Sequence, residues 1–379
     1  MTPFLAIVSD TWRQSKQQIV FLVLIGLMLL LTGGMLAIPK VLTGPDGKAV
    51  LGVAFQTQGT GDFETSWDEA YRAAVAKERG FEQRSLPART AYDEAQAKYR
   101  KAVRKRQRLA EAGAAAEQVE EAKAEEETLS AESRERAKSL LALQQELLDE
   151  AQKIVDERAK GITPLEKGAE IWLSLAVRFL FTLSMWGFIA ACAGYYPAML
   201  QAGAVDVLIS KPIGRHVLFF GKYAGGLVLY AAALLACYFL LFVGMGIRTG
   251  VWHAPLLGAM PLTLFAVALL WALVGAIGVL TRSTAFAIVI GYVYYVVVDS
   301  VVGLVQALKG TEIADEFEAL GTISEWSGVL FPGFGRLRDA VGASVLHVPV
   351  FEGQPIVVAA AWIAACLGVA YWRFYKLDF

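Results

Sequence analysis

The chain is 379 residues long, 56% hydrophobic and 19% charged, with a formal net charge of −1. Residues 62–170 hold 44 of its charges (24 acidic, 20 basic), leaving 27 for the other 270 residues. Most of the chain is therefore too apolar for a water-soluble protein and must face lipid. The near-zero charge, with no basic stripe and no nucleic-acid motif, excludes nucleic acid as a partner. Cys192, Cys237 and Cys366 lie in apolar runs with neither a CxxC pair nor a disulfide framework.

A membrane crossing takes about 20 apolar residues. Six runs meet or approach that: 19–38, 171–196, 217–247, 255–281, 284–308 and 355–372. The first is longer than the apolar core of a secretory signal, and no A-x-A site follows it, so it reads as a span. The expected fold is an all-α polytopic membrane protein with six transmembrane helices. Its expected divisions are 1–38 (an amphipathic helix and the first span), an insert at 39–170, and a five-helix region at 171–379.

In the insert, Val41 to Phe55 reads as a short β-hairpin: VLT, the turn residues GPDG, then KAVLGVAF. After Gly61 the pattern turns helical. Beyond Pro87 no proline occurs before Lys160, and Gly113 is the single glycine. Tyr92, Ala95, Tyr99 and Ala102 keep a 3-4 spacing, as do Leu140, Leu143, Leu147, Ala151 and Ile154. The spacing predicts a coiled-coil hairpin that reverses near Gly113; the alternative is a solvated spacer.

Lys and Arg in short loops set the orientation. Loops 1–18, 197–216, 282–283 and 373–379 hold seven (Arg13, Lys16, Lys211, Arg215, Arg282, Arg373, Lys376) in 47 residues. Loops 248–254 and 309–354 hold four in 53. Both termini are thus expected in the cytoplasm and the insert outside it, in a multi-pass protein of a bacterial inner membrane.

Enzymatic constellations are scarce. His216, His253 and His347 are scattered without i, i+4 pairing, so no metal site is expected. There is no GxSxG, HExxH or GxxxxGK[ST]; in FFGKYAGG, Lys222 is followed by Tyr and opens an apolar span. The chain is not expected to be an enzyme or to hydrolyse ATP itself.

The most informative segment is PAMLQAGAVDVLISKPIGRHVLFFGKYAGG, residues 197–226. It reads as a short amphipathic helix, a Lys-Pro-Ile break, a basic Gly-Arg turn and the next span. The segment resembles the cytoplasmic loop of ABC-2 type permeases, the membrane subunits of a class of ATP-driven exporters. Asp206, the run Leu208-Ile209-Ser210-Lys211-Pro212-Ile213-Gly214-Arg215, and Gly221-Lys222 carry the resemblance. Gln201 stands where the family often has glutamate. An N-terminal PFLAIVSDTWRQSKQQ with apolar Phe4, Leu5, Val8 and Trp12 fits too. So does the outer segment 307–354, where GVLFPGFGRLRDAVGA reads as short or re-entrant helices.

The resemblance implies a separate ABC ATPase subunit carrying the ATP and Mg, with no cofactor on this chain. It also implies a second permease chain, identical or paralogous. The coupling residues it points to are Asp206, Leu208, Ser210, Lys211, Pro212, Arg215 and Lys222, within the loop 197–216 and the start of the following span.

Charged residues inside spans are functional candidates. Arg178 and Asp299 each lie about seven residues from the outer ends of their spans, which places them at similar depth. One expectation is that they pair in a shared polar cavity. The other is that Arg178 snorkels outward while Asp299 caps a helix. Tyr292, Tyr294 and Tyr295 precede Asp299 and form either an aromatic packing patch or a cavity wall. Three functions remain in competition at this level: an exporter permease, a mechanotransmitter acting on an envelope partner through the coiled coil, and a non-transporting scaffold.

Overall fold

The computed structural model describes residues 19–44, 47–53, 61–113, 115–200, 214–307, 326–327, 330–346 and 353–376. It divides into two compact units, residues 1–64 with 163–379, and residues 65–162.

The first unit is a helical bundle. Its elements are α1 (Ile19–Ala37), β1 (Pro39–Thr43), β2 (Ala49–Val53), α5 (Pro164–Cys192), α6 (Tyr195–Met199), α7 (Arg215–Thr249) and α8 (Pro255–Thr281). They are followed by α9 (Thr284–Tyr292), a π-helical turn (Val293–Val298), α10 (Asp299–Ala307), α11 (Phe334–Ser344) and α12 (Gly353–Tyr375). Among the described residues, five helices are long and apolar enough to cross a membrane: Pro164–Met199, Arg215–Thr249, Pro255–Thr281, Thr284–Val305 and Gly353–Tyr375. Helix α1 is an apolar helix of 19 residues, about 28 Å at 1.5 Å per residue.

Burial ranks these helices. In α8, 67% of the apolar window is inside the protein, against 17% for Thr284–Val305 and for α12. Helix α8 is therefore the axis, and the other two present most of their apolar surface outward, as a lipid-facing helix does. Connections are tight. Arg282 ends α8 in the left-handed region at φ 53°, and the Ser283 hydroxyl accepts from the Phe286 N–H at 3.3 Å to start α9. Helix α5 starts on a capping box: the Thr163 hydroxyl accepts from the Glu166 N–H, and the Glu166 carboxylate accepts from the Thr163 N–H.

The two strands pair antiparallel with Val41 opposite Leu51. Gly47, at φ 72°, donates its N–H to the Gly44 carbonyl at 3.0 Å, the left-handed turn position that glycine fills without strain. Sequence pattern assigned this hairpin to the insert. Its Leu51 is buried against α5, where a Cβ on Gly168 would come within 2.8 Å of the leucine, so the hairpin packs with the membrane helices.

The second unit holds most of α2 (Gly61–Glu78) together with α3 (Phe81–Glu111) and α4 (Ala116–Arg158). Helices α3 and α4 run antiparallel, with Arg84 on Glu150 at 2.9 Å, Lys105 on Glu125 at 2.7 Å and Arg106 on Glu126 at 3.0 Å. The chain reverses at Gly113, φ 66°. Between the helices lie Ala95, Ala102, Ala122, Leu147, Ala151 and Val155, mostly alanines that let the backbones approach. Ile154, expected on this row, is half-buried, and its neighbour Val155 is buried. Helix α3 starts six residues before Pro87, which it accommodates where its exposed surface leaves the carbonyl of Gln83 to water. Trp67 stacks on Tyr71 at 4.0 Å, and the Arg158 fork donates two hydrogen bonds to Glu78, 2.9 and 3.1 Å.

Candidate functional site

The bundle carries two polar or aromatic concentrations, one at each end. The loop end gathers the boundaries of the 197–216 segment. Asp206, Leu208, Ser210, Lys211 and Pro212 lie outside the described residues, as does the N-terminal amphipathic stretch. Arg215 and Lys222 are described. The Arg215 guanidinium donates to the Tyr375 carbonyl at 2.9 Å and lies 6.0 Å from the Tyr375 ring. A cation thus meets the C-terminal carbonyls of α12, where the helix dipole is negative. Lys222 is only 5% exposed, its ammonium 5.6 Å over the Tyr195 ring. Its place is inside the bundle, not on a surface that a partner could touch directly.

Around Lys222 the rings close up. Trp271 of α8 lies 5.9 Å from Tyr195, 5.2 Å from Tyr196 and 5.4 Å from Phe188. Its indole N–H donates to the Tyr223 carbonyl at 3.1 Å, and the Tyr223 hydroxyl donates back to the Ala268 carbonyl at 2.7 Å. Phe219 of α7 packs at 5.6 Å on Phe374 of α12.

At the opposite end, next to the β-hairpin, the short helix α11 is held by side chains of the spans. The Asp299 carboxylate accepts from the N–H groups of Phe334 (2.6 Å) and Gly335 (3.1 Å). These are first-turn donors that no carbonyl within the helix can satisfy. Arg178 of α5 pairs with Asp339 at 2.9 Å, and its guanidinium lies across Gly342, where a Cβ would collide with it. The Ser174 hydroxyl donates to the Gly342 carbonyl at 2.9 Å, and the buried His253 ring bonds to the Val345 carbonyl.

Arg178 and Asp299 therefore do not pair with each other; of the two expectations, the one in which Asp299 caps a helix describes its contacts. Both residues bind α11, Asp299 at its N-terminus and Arg178 five residues further on. Tyr292 donates to the Trp186 carbonyl at 2.9 Å, with the rings 4.9 Å apart. Tyr295 meets Trp186 and Phe334 edge-on at 6.5 and 5.4 Å. These two tyrosines pack α9 and the π-helical turn against α5 and α11. Tyr294 reaches Phe334 and Trp362.

Sequence reasoning missed Asp339, Ser174, Trp186 and Trp271. Asp339 carried a signal, as the single acid between Glu325 and Glu352; the others are ordinary residues of apolar runs. Among the described residues, no group of three or more His, Cys, Asp or Glu is placed to hold a metal.

No curated protein and no solved structure matches the chain. The family model for ABC-2 family transporter proteins matches residues 5–379, a span that takes in the membrane helices and the helical unit alike. This chain is a multi-pass membrane protein that belongs to the ABC-2 transporter family.

Proposed function

We propose that the chain is the permease subunit of an ATP-driven ABC-2 exporter, coupling ATP hydrolysis on a separate ATPase to movement of a substrate across the membrane. The family match over residues 5–379 carries this reading. ATP and Mg are held by the partner, the permease itself is not catalytic, and two permease chains, identical or paralogous, complete the transporter. The apolar helix α1 is the sixth span. The protein sits in a bacterial inner membrane with both termini in the cytoplasm, and the helical unit lies outside it. The loop 197–216 seats on the ATPase through Asp206, Leu208, Ser210, Lys211, Pro212 and Arg215, and Lys222 braces the loop from within.

The test is recovery of the tagged chain in mild detergent, wild type against Lys211→Glu/Arg215→Glu. An ATPase recovered with the wild type and lost from the variant is the expected result. An ATPase absent from both overturns the reading and leaves a scaffold.

A second reading has its own support in the antiparallel α3–α4 pair, with its cross-helix ion pairs and its buried alanines. Paired helices transmit force, so ATP cycling would work on an envelope partner. Replacing residues 98–134 with a short glycine-rich linker, which keeps the facing register, separates the two: export that survives the shortening sinks the mechanotransmitter.

A further inference from the structure

The boundaries of the coupling segment are more firmly built than a connector requires, and all contacts of interest lie in described residues. On the entry side, Tyr196 is 1% exposed. Its hydroxyl donates to the Phe219 carbonyl at 3.2 Å, which ties the entry helix α6 to the exit helix α7. The Tyr196 ring and the Pro197 ring enter a notch in α8 made by two glycines one turn apart. A Cβ on Gly275 would stand 2.9 Å from the Tyr196 ring, and one on Gly278 would stand 3.1 Å from Pro197. A side chain on Gly275 would therefore force the Tyr196 ring to shift, and one on Gly278 would crowd Pro197 by a few tenths of an ångström. On the exit side, Gly226 brings α7 against Trp271, where a Cβ would stand 3.2 Å from the indole. Entry, exit and α8 thus meet around one fully buried residue, Trp271.

Helix α8 then runs the length of the bundle. From Gly275 to Ala259 is about 24 Å at 1.5 Å per residue, and its N-terminal part packs on α11, the helix that Asp299 and Arg178 hold. Protein interiors are close-packed and stiff, so a buried knob seated in a rigid notch passes displacement on and does not absorb it.

We propose that Tyr196 and Pro197, seated in the Gly275–Gly278 notch beside Trp271, form the joint through which motion of the coupling segment enters the spans, and that α8 carries it to α11. Tyr196, Trp271, Gly275 and Gly278 are positioning residues, and the joint rests on the permease reading above. It assigns a direction to the machine: α8, the most enclosed span, moves first, and α11 responds at the far end.

The test uses the full chain co-purified with its ATPase in lipid nanodiscs. An Arg338→Cys reporter on the exposed side of α11 is labelled with a polar maleimide, with and without ATP and vanadate. In the unmodified joint the labelling rate changes on nucleotide trapping by about fivefold or more, the lower end of ordinary coupling between sites. Gly275→Ala is expected to keep the ATPase and its hydrolysis while losing the response at position 338. Tyr196→Leu, which empties the notch, is expected to do the same, and the two together, where the shorter side chain makes room for the added methyl, recover part of the response. A full response in Gly275→Ala or in Tyr196→Leu overturns the joint while leaving the permease reading intact. Absence of an ATPase from the wild-type preparation overturns both.

Discussion

The two ends of the bundle solve the same problem, holding a non-spanning segment against spans, with different chemistry. At the loop end the contact is mainly steric: the rings of Tyr196, Pro197 and Trp271 enter spaces that Gly275, Gly278 and Gly226 leave open, Tyr195 and Phe219 pack against them, and the buried Lys222 lies over a ring. At the hairpin end it is electrostatic and hydrogen-bonded: a carboxylate on helix N–H groups, an ion pair, and a hydroxyl on a carbonyl. Packing of the first kind resists displacement in all directions and changes little with conditions. Bonds of the second kind are directional and exchange partners singly, with water or with one another. A helix fastened in the second way can be released stepwise, and one fastened in the first way moves with its neighbour.

The largest expected effect lies at the loop end. Trp271→Ala removes a fully buried indole; because lipid replaces water as the reference medium, the loss is mostly packing, of order 2–4 kcal/mol. It should appear as the greatest fall in the thermal midpoint of the detergent-solubilised chain, and a fall smaller than that of Asp299→Ala would break the comparison.

Asp299→Ala comes next. It strands the Phe334 and Gly335 N–H groups at a cost of about 1–3 kcal/mol, while Asp299→Asn, which keeps an acceptor, should lose less than half as much. Protease sensitivity of the 334–344 segment reads this directly, and equal effects of Ala and Asn would show that the carboxylate is not the cap.

Arg178→Ala should cost less than about 1 kcal/mol, since both side chains of the pair are well exposed. Its value lies in a double-mutant cycle. Arg178→Ala should be non-additive with Asp339→Ala and additive with Asp299→Ala; the reverse pattern would restore the direct Arg178–Asp299 pair.

The smallest effect is in the helical unit. The Arg158 fork holds the Glu78 carboxyl below its ordinary value of 4.5. A lowered folded-state value means the stabilisation is present in full above that ordinary value and is lost as pH falls through it toward the folded one. With both side chains more than a third exposed, Glu78→Gln should cost a few tenths of a kcal/mol near neutrality, at the low end for exposed pairs. The difference from wild type should vanish in acid, as followed by circular dichroism on heating.

Much of the architecture was legible because it depends on properties that a local window captures. Apolar runs placed the spanning helices to within a few residues, except that α5 starts at Pro164, seven residues before its run; GPDG placed the strand turn, and Gly113 the reversal between α3 and α4. Partner choice was not legible, because it depends on which way around a helix a side chain points. The π-helical turn at Val293–Val298 is one such case: an i→i+5 turn takes in one extra residue, which shifts the facing of Asp299 by about 100° relative to an unbroken α-helix. The burial of Lys222 was not legible either: nothing local reveals that Tyr195, 27 residues earlier, lies beneath its ammonium.

The capping box at Thr163–Glu166 has a consequence for how such a chain diversifies. It gives α5 a start signal of its own, independent of what precedes it, and the β-hairpin is already committed to the membrane helices before residue 65. Residues 65–162 can thus be regarded as a cassette with self-sufficient borders. Descendants of one ancestral permease could lengthen, exchange or discard it, and so acquire new partners without re-evolving the part that folds in the bilayer.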